Sequence, residues 1–253
     1  MAVCLLLTMG SAVCLAQSAR GPRRVIEREG KRWLFGGEDS SQDFDVTQFR
    51  LDSARLNYGL GRENFPALIE PEFVSAQEAN QWLGDADAVL GVSIGGEAKA
   101  YPISLLTRHE VVNDVVSGRP IVAAYCILAN LGAIYDRRLG EHTYTFAVSG
   151  YTYSEPKVWD GLQAFVLWDR DTESLWLPTI GKAVSGPMID VPMRLVPQEH
   201  WEQTTWGEFR AKYPEARVLK PGQRMRRPKS WKPYTGTFPE KAKVDPKESI
   251  APR

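Results

Sequence analysis

Three residues close in sequence carry side chains that could act on one atom: Cys126, His109 and Asn113. The segments His109 to Val116 and Ile121 to Leu128 read as strands, joined by the turn-forming run Ser117-Gly118-Arg119-Pro120. With Gly118-Arg119 as a two-residue loop, Val111 stands opposite Cys126, Asn113 opposite Ala124 and His109 opposite Leu128. Strand side chains alternate between faces, so His109, Val111 and Asn113 then share a face with Cys126. Such a set serves a thiol nucleophile, with the imidazole taking the proton and the amide orienting the ring. The same thiolate and imidazole suit copper or zinc. A structural role accounts for them better, because Val122, Ala124 and Leu128 on the same strand face form an apolar stripe. A register slip of one residue would also separate the set. His142 and His200 have no partner at metal-ligand spacing and read as a turn residue and a loop residue.

The segment Met1 to Ala16 is apolar and uncharged, as long as the core of an export signal and too short to span a bilayer. We expect cleavage after Ala16 and a periplasmic or extracellular location. The alternative is an anchor formed by residues 1–16, favoured by Arg20, Arg23 and Arg24 just beyond it. Export would remove Cys4 and Cys14 and leave Cys126 without a partner for an internal disulfide. Lysine plus arginine (31) equals aspartate plus glutamate (31), so no global field favours nucleic acid. Membrane association is expected only through an uncleaved N-terminal segment, and the partner is an unspecified protein or small ligand.

The elements that would position the candidate residues are mostly strands. Residues 17–60 read as an extended arm, residues 61–222 as a β-rich domain, and residues 223–253 as a Pro- and Lys-rich strap or tail. Gly95-Gly96, Leu139-Gly140-Glu141 and Asp169 to Thr172 each separate candidate strands, which predicts three hairpins besides the one at Gly118. Ser75-Ala-Gln-Glu78 and Thr205-Trp-Gly-Glu208 are capping-box patterns that open short helices, and Pro214 stops the second. A further helical turn fits between Ile103 and Arg108. The expected fold is mainly β (α+β): antiparallel hairpins forming a sandwich or partly open barrel with two or three short helices. Asp169-Arg170-x-Thr172-x-Ser174-x-Trp176 needs no function as a turn. Trp159, Trp168 and Trp176 serve either the core or a pocket wall.

Several strings occur in one order: Phe73-Val-Ser-Ala-Gln-Glu-Ala79, Gly91-Val with Ala100-Tyr-Pro102, His109-Glu-Val-Val-Asn-Asp114, Tyr125-Cys126, Asp136-Arg137, Ser149-Gly150 and Asp169-Arg170 through Trp176. That order resembles the bacterial and archaeal domain-of-unknown-function family 3179, from about Phe65 to Leu219, with Pro233-Tyr-Thr-Gly236 similar to its closing segment. The resemblance implies an extracytoplasmic β-rich domain without an agreed activity. Relatives usually carry Tyr-Cys-Pro-Leu-Cys-Gly, and some carry selenocysteine, which implies thiol redox or soft-metal chemistry. Here the string is Tyr125-Cys126-Ile127-Leu128-Ala129-Asn130, without the second cysteine, so dithiol exchange within one chain is excluded. The expected function is an exported accessory or binding module. The alternatives are a mono-cysteine copper, zinc or redox protein using Cys126 and His109, and a Cys126/His109/Asn113 thiol enzyme. Metal analysis of the purified protein beside Cys126→Ser separates the metal reading: stoichiometric copper or zinc lost in the variant supports it, and none in either protein removes it.

Overall fold

Residues 119–126, Arg-Pro-Ile-Val-Ala-Ala-Tyr-Cys, form an almost continuous apolar run, the signature of a strand buried on both faces. The computed structural model describes residues 25–37, 39–155 and 162–224 and places this strand inside a four-stranded sheet. Its neighbours are Leu131–Asp136 on one side and Val111–Val116 on the other, both antiparallel, and Leu68–Ile69 then pairs in parallel with Val111–Val116. Alternation sends Ile121, Ala123 and Tyr125 to one face and Val122, Ala124 and Cys126 to the other.

Each face meets a second sheet. The Cys126 face packs on a five-stranded antiparallel sheet in the order Lys182–Ala183, Leu175–Leu177, Gln163–Asp169, Phe146–Ser154, Leu56–Tyr58. The Tyr125 face packs on a second five-stranded sheet in the order Trp201–Thr205, Ala88–Ile94, Glu97–Pro102, Arg217–Leu219, Phe73–Ser75. The far side of that sheet is covered by helices Ala76–Ala79 and Trp206–Lys212, through Ala79, Trp206 and Phe209. A third helix spans Ile103–His109. The fold is therefore β-rich sheet-on-sheet packing with three short α-helices among the described residues, and no closed barrel.

Turn and cap chemistry falls where the residue types place it. Gly95 and Gly96 have φ of 56° and 85°, the paired left-handed conformation of a tight hairpin loop. Thr205 and Glu208 make the reciprocal capping box, while at Ser75 the hydroxyl accepts the Glu78 N–H.

Four expectations need correction. The hairpin at 111–126 turns on Ser117-Gly118, with φ of 47° and 77°, so Val111 pairs with Ala124 and Asn113 with Val122. The two-residue slip keeps every side chain on its expected face. His109 is not in the strand: it is the last residue of the helix, and the strand begins at Val111. The Leu139-Gly140-Glu141 turn joins only Arg138–Leu139 to His142–Thr143, and the long strands around it belong to different sheets. Residues 25–60 are less an arm than a part of the core. They form a three-stranded sheet (Val25–Arg28, Lys31–Leu34, Phe44–Asp45) and bury Leu34, Phe44, Val46 and Leu56. The predicted signal segment 1–16, Trp159, the Pro233–Gly236 string and the tail beyond Arg224 lie outside the described residues.

Two buried polar side chains tie the layers together. Asn113, 1% exposed, donates its amide to the carbonyls of Leu68 (3.2 Å) and Phe146 (2.8 Å) and accepts the Phe146 N–H (2.8 Å). Arg137 donates to the carbonyls of Ile121, Tyr144 and Asp114 at 2.8, 2.8 and 3.2 Å. A buried group that loses its partner incurs its full desolvation cost. Asn113→Ala strands three backbone groups and is expected to lower unfolding free energy by about 2–4 kcal/mol. Urea denaturation at pH 7 measures this, and a change within experimental error would remove Asn113 as a strut.

Candidate functional site

The chain turns sharply where the helix Ile103–His109 meets the strand Val111–Val116. Glu110 ends the helix with φ 56° and ψ −30°, a conformation that disfavours a residue with a Cβ. Its N–H closes on the Leu106 carbonyl at 2.6 Å, and its own carbonyl accepts the Tyr125 N–H at 2.8 Å. This kink takes His109 off the strand and puts Glu110 beside residues 125–127. The Ile127 N–H, one residue beyond Cys126, favours the charged form of the Glu110 carboxyl.

Cys126 and Glu110 line a common cavity of about 260 Å³. Its other walls include Leu60, Phe65, Val148, Tyr151 and Phe165. The wall opposite the thiol follows from Ser149-Gly150. Ser149 Oγ donates to the Val166 carbonyl at 2.6 Å and accepts the Tyr151 N–H at 3.2 Å, which fixes a bulge between Val148 and Tyr151. Gly150 has φ 84°, and a Cβ there would collide with the backbone of Gly61. Its carbonyl accepts the Gly59 N–H at 2.9 Å, so two chain segments meet at the cavity without a side chain between them.

Burial governs the titration of both polar groups. Glu110 is 6% exposed, and desolvation raises its carboxyl from 4.5 to about 7, against the lowering effect of the Ile127 N–H. Cys126 is 3% exposed, and burial pushes its thiol above the usual range. The N–H groups of Phe165, Ala129 and Leu128 act the other way, and the nearby Glu110 charge adds to the rise. The thiol faces the Gln163 carbonyl at 3.7 Å. Leu128, expected to extend the apolar stripe, instead lies in the turn after the strand and is 55% exposed.

The sequence-derived trio is not assembled. Asn113 shares the Cys126 face, but its partner Val122 lies four residues away along the strand, about 13 Å at strand spacing. Its amide is occupied by backbone groups. His109 places Nδ1 2.7 Å from the Pro66 carbonyl, which can only accept, so that nitrogen carries the proton. His109 does not line the Cys126 cavity. Nothing local marks Glu110, because a regular strand would place it on the face away from Cys126, and only the kink turns it toward the cavity. Copper or zinc held by Cys126 and His109 finds no support in this geometry. The cavity offers one thiol and one carboxyl, and no group of three or more His, Cys, Asp or Glu residues converges among the described residues.

The other sequence clusters serve structure. His142 Nε2 lies 3.0 Å from Asp171 Oδ1, and His200 ends the short 3-10 turn Gln198–His200. Asp169 is fully buried and accepts the Trp176 indole N–H (2.7 Å) and the Thr172 hydroxyl (2.8 Å); burial raises its carboxyl to about 6. Arg170 makes a bidentate pair with Glu63 at 2.6 and 2.7 Å. Trp168 and Trp176 are core residues.

A family model described as "Protein of unknown function (DUF3179)" matches residues 62–250. No curated protein and no solved structure matches the chain.

Because the folded Glu110 binds its proton more tightly than the unfolded chain does, its contribution is complete below about pH 4.5 and is lost as pH rises through 7. The loss is roughly 3 kcal/mol. Asp169 acts in the same direction over a lower window, ending near pH 6. The native chain is therefore expected to lose stability between pH 6 and 8, and Glu110→Gln to flatten that decline. Urea midpoints across that range are the measurement, and parallel curves for the two proteins would contradict the assignment.

Proposed function

The chain belongs to the DUF3179 family, and on that premise we propose that it is an exported binding module whose Cys126 cavity holds a compact, largely apolar small molecule. The observation that supports this most directly is the cavity itself. A space of about 260 Å³ between Phe65, Val148, Tyr151 and Phe165 carries only a few polar groups, among them one thiol and one carboxyl. Concave apolar sites with few convergent polar groups are where small ligands bind. A well-packed core holds few voids larger than a water molecule, so a space of this size between two sheets is more than a packing defect.

The preferred ligand carries one hydroxyl or carbonyl group. Near neutral pH Glu110 exchanges between carboxylate, which accepts from a ligand hydroxyl, and carboxylic acid, which donates to a ligand carbonyl. Export is supported by the apolar segment 1–16 and its small residue at Ala16. The missing second cysteine favours binding over dithiol exchange, because Ala129 cannot close a disulfide.

Phenol, which has a compact ring and one hydroxyl, is a suitable probe by titration calorimetry. Binding at one site is expected, weakened at least about tenfold by Val148→Phe, which fills the space, or by Leu60→Trp at its rim. Phenol heats that are absent, or that neither substitution alters, would sink the cavity reading.

A further inference from the structure

Ligand binding alone does not require a thiol beside a carboxyl, and the cavity has both. Neither is placed as a packing residue would be. Glu110 is buried at 6% exposure in a backbone conformation costly for any residue but glycine, and it lines the cavity together with Cys126. Cys126 Sγ lines the same cavity and donates to the Gln163 carbonyl at 3.7 Å, while the Phe165, Ala129 and Leu128 N–H groups favour its charged form.

We propose that Cys126 captures an apolar α,β-unsaturated carbonyl compound as a covalent adduct, with Glu110 receiving and returning the proton. The inference rests on the cavity being a ligand site, and it names the ligand's chemical class.

In this addition the Sγ–H bond breaks and its proton passes to the Glu110 carboxylate. The sulfur lone pair forms an Sγ–C bond to the β-carbon of the ligand. The π pair of the double bond moves toward the carbonyl as an enolate. The Glu110 carboxylic acid then returns the proton to the α-carbon. The sum is hydrogen and sulfur added across one double bond, with no leaving group, oxidant or second thiol. That balance fits this chain, because Cys126 is the one cysteine among the described residues and Ala129 stands where a resolving thiol would be. Disulfide or sulfenic acid chemistry would leave Cys126 waiting for an outside thiol. Apolar walls favour an alkenal or alkenone over a polar electrophile. A buried thiol, charged only when its neighbour takes the proton, is kept from indiscriminate reaction with solutes outside the cavity.

The test uses trans-2-hexenal, with adduct formation followed by intact mass and the site located by peptide mapping. One adduct on Cys126 is expected, slowed by saturating phenol. Its rate should rise with pH through neutrality. Glu110→Gln should lower the rate at pH 7 by roughly 100-fold and move the rise to higher pH. An unchanged rate and pH profile in Glu110→Gln, or an adduct elsewhere, overturns the proposal. Should that variant fail to fold, the native chain still decides. Folded protein should prefer trans-2-hexenal to the polar acrylamide, and urea should erase the preference; equal preference in both states overturns the proposal. If phenol binds but trans-2-hexenal gives no adduct, covalent capture fails and the cavity reading stands. Phenol that neither binds nor slows the adduct fails both.

Discussion

A sheet buried on both faces has no water to satisfy stray polar groups, and this constraint organises the rest of the molecule. The strand Arg119–Cys126 is apolar on each side, so the polar side chains around it must be bonded to protein. Asn113 and Arg137 do this by spending their hydrogen-bonding capacity on backbone groups of neighbouring strands. Asp114 is met by Lys99 at 3.1 Å and by the Tyr101 hydroxyl at 2.7 Å. Removing any of these leaves the buried groups it bonds without that partner, at the desolvation cost of each.

The same constraint explains why the family strings lie where they do. His109-Glu-Val-Val-Asn-Asp114 contains three kinds of residue. Asn113 and Asp114 hold sheets together, His109 fixes the helix end to the Pro66 carbonyl, and Glu110 points into a cavity. Asp136-Arg137 and Asp169-Arg170 are likewise struts and turns. Ser149-Gly150 shapes a wall by letting two backbones approach. Glu110 and Cys126 bring a carboxyl and a thiol to one largely apolar cavity. Their proximity comes from one strained residue, since a regular strand through position 110 would have pointed the carboxyl elsewhere.

Burial sets the chemistry of that pair more than charge does. Both groups are held toward their neutral forms by desolvation, the carboxyl to about 7 and the thiol above its ordinary range. Two neutral groups are compatible with an apolar cavity, where an isolated thiolate and a separate cation would not be. The cost is borne by stability, which the raised Glu110 and Asp169 values make lower at alkaline pH than at mildly acidic pH.

Much of this protein was legible in its residues. Alternation and apolar runs gave the strands, Gly95-Gly96 gave a hairpin, and Thr205 with Glu208 gave a helix start, because each depends on neighbours within a few positions. The face shared by Asn113 and Cys126 was also readable, since a two-residue slip in register leaves the faces unchanged. Tertiary structure alone decided the rest. That Leu34 and Phe44 belong to the core, and that Asn113 is saturated by Leu68 and Phe146, depends on contacts between segments far apart in sequence. That Glu110 rather than His109 stands by Cys126 depends on a left-handed kink at a residue whose type does not announce one. The kink exists because a helix end and a buried strand must join within one residue, and no local pattern encodes that geometry.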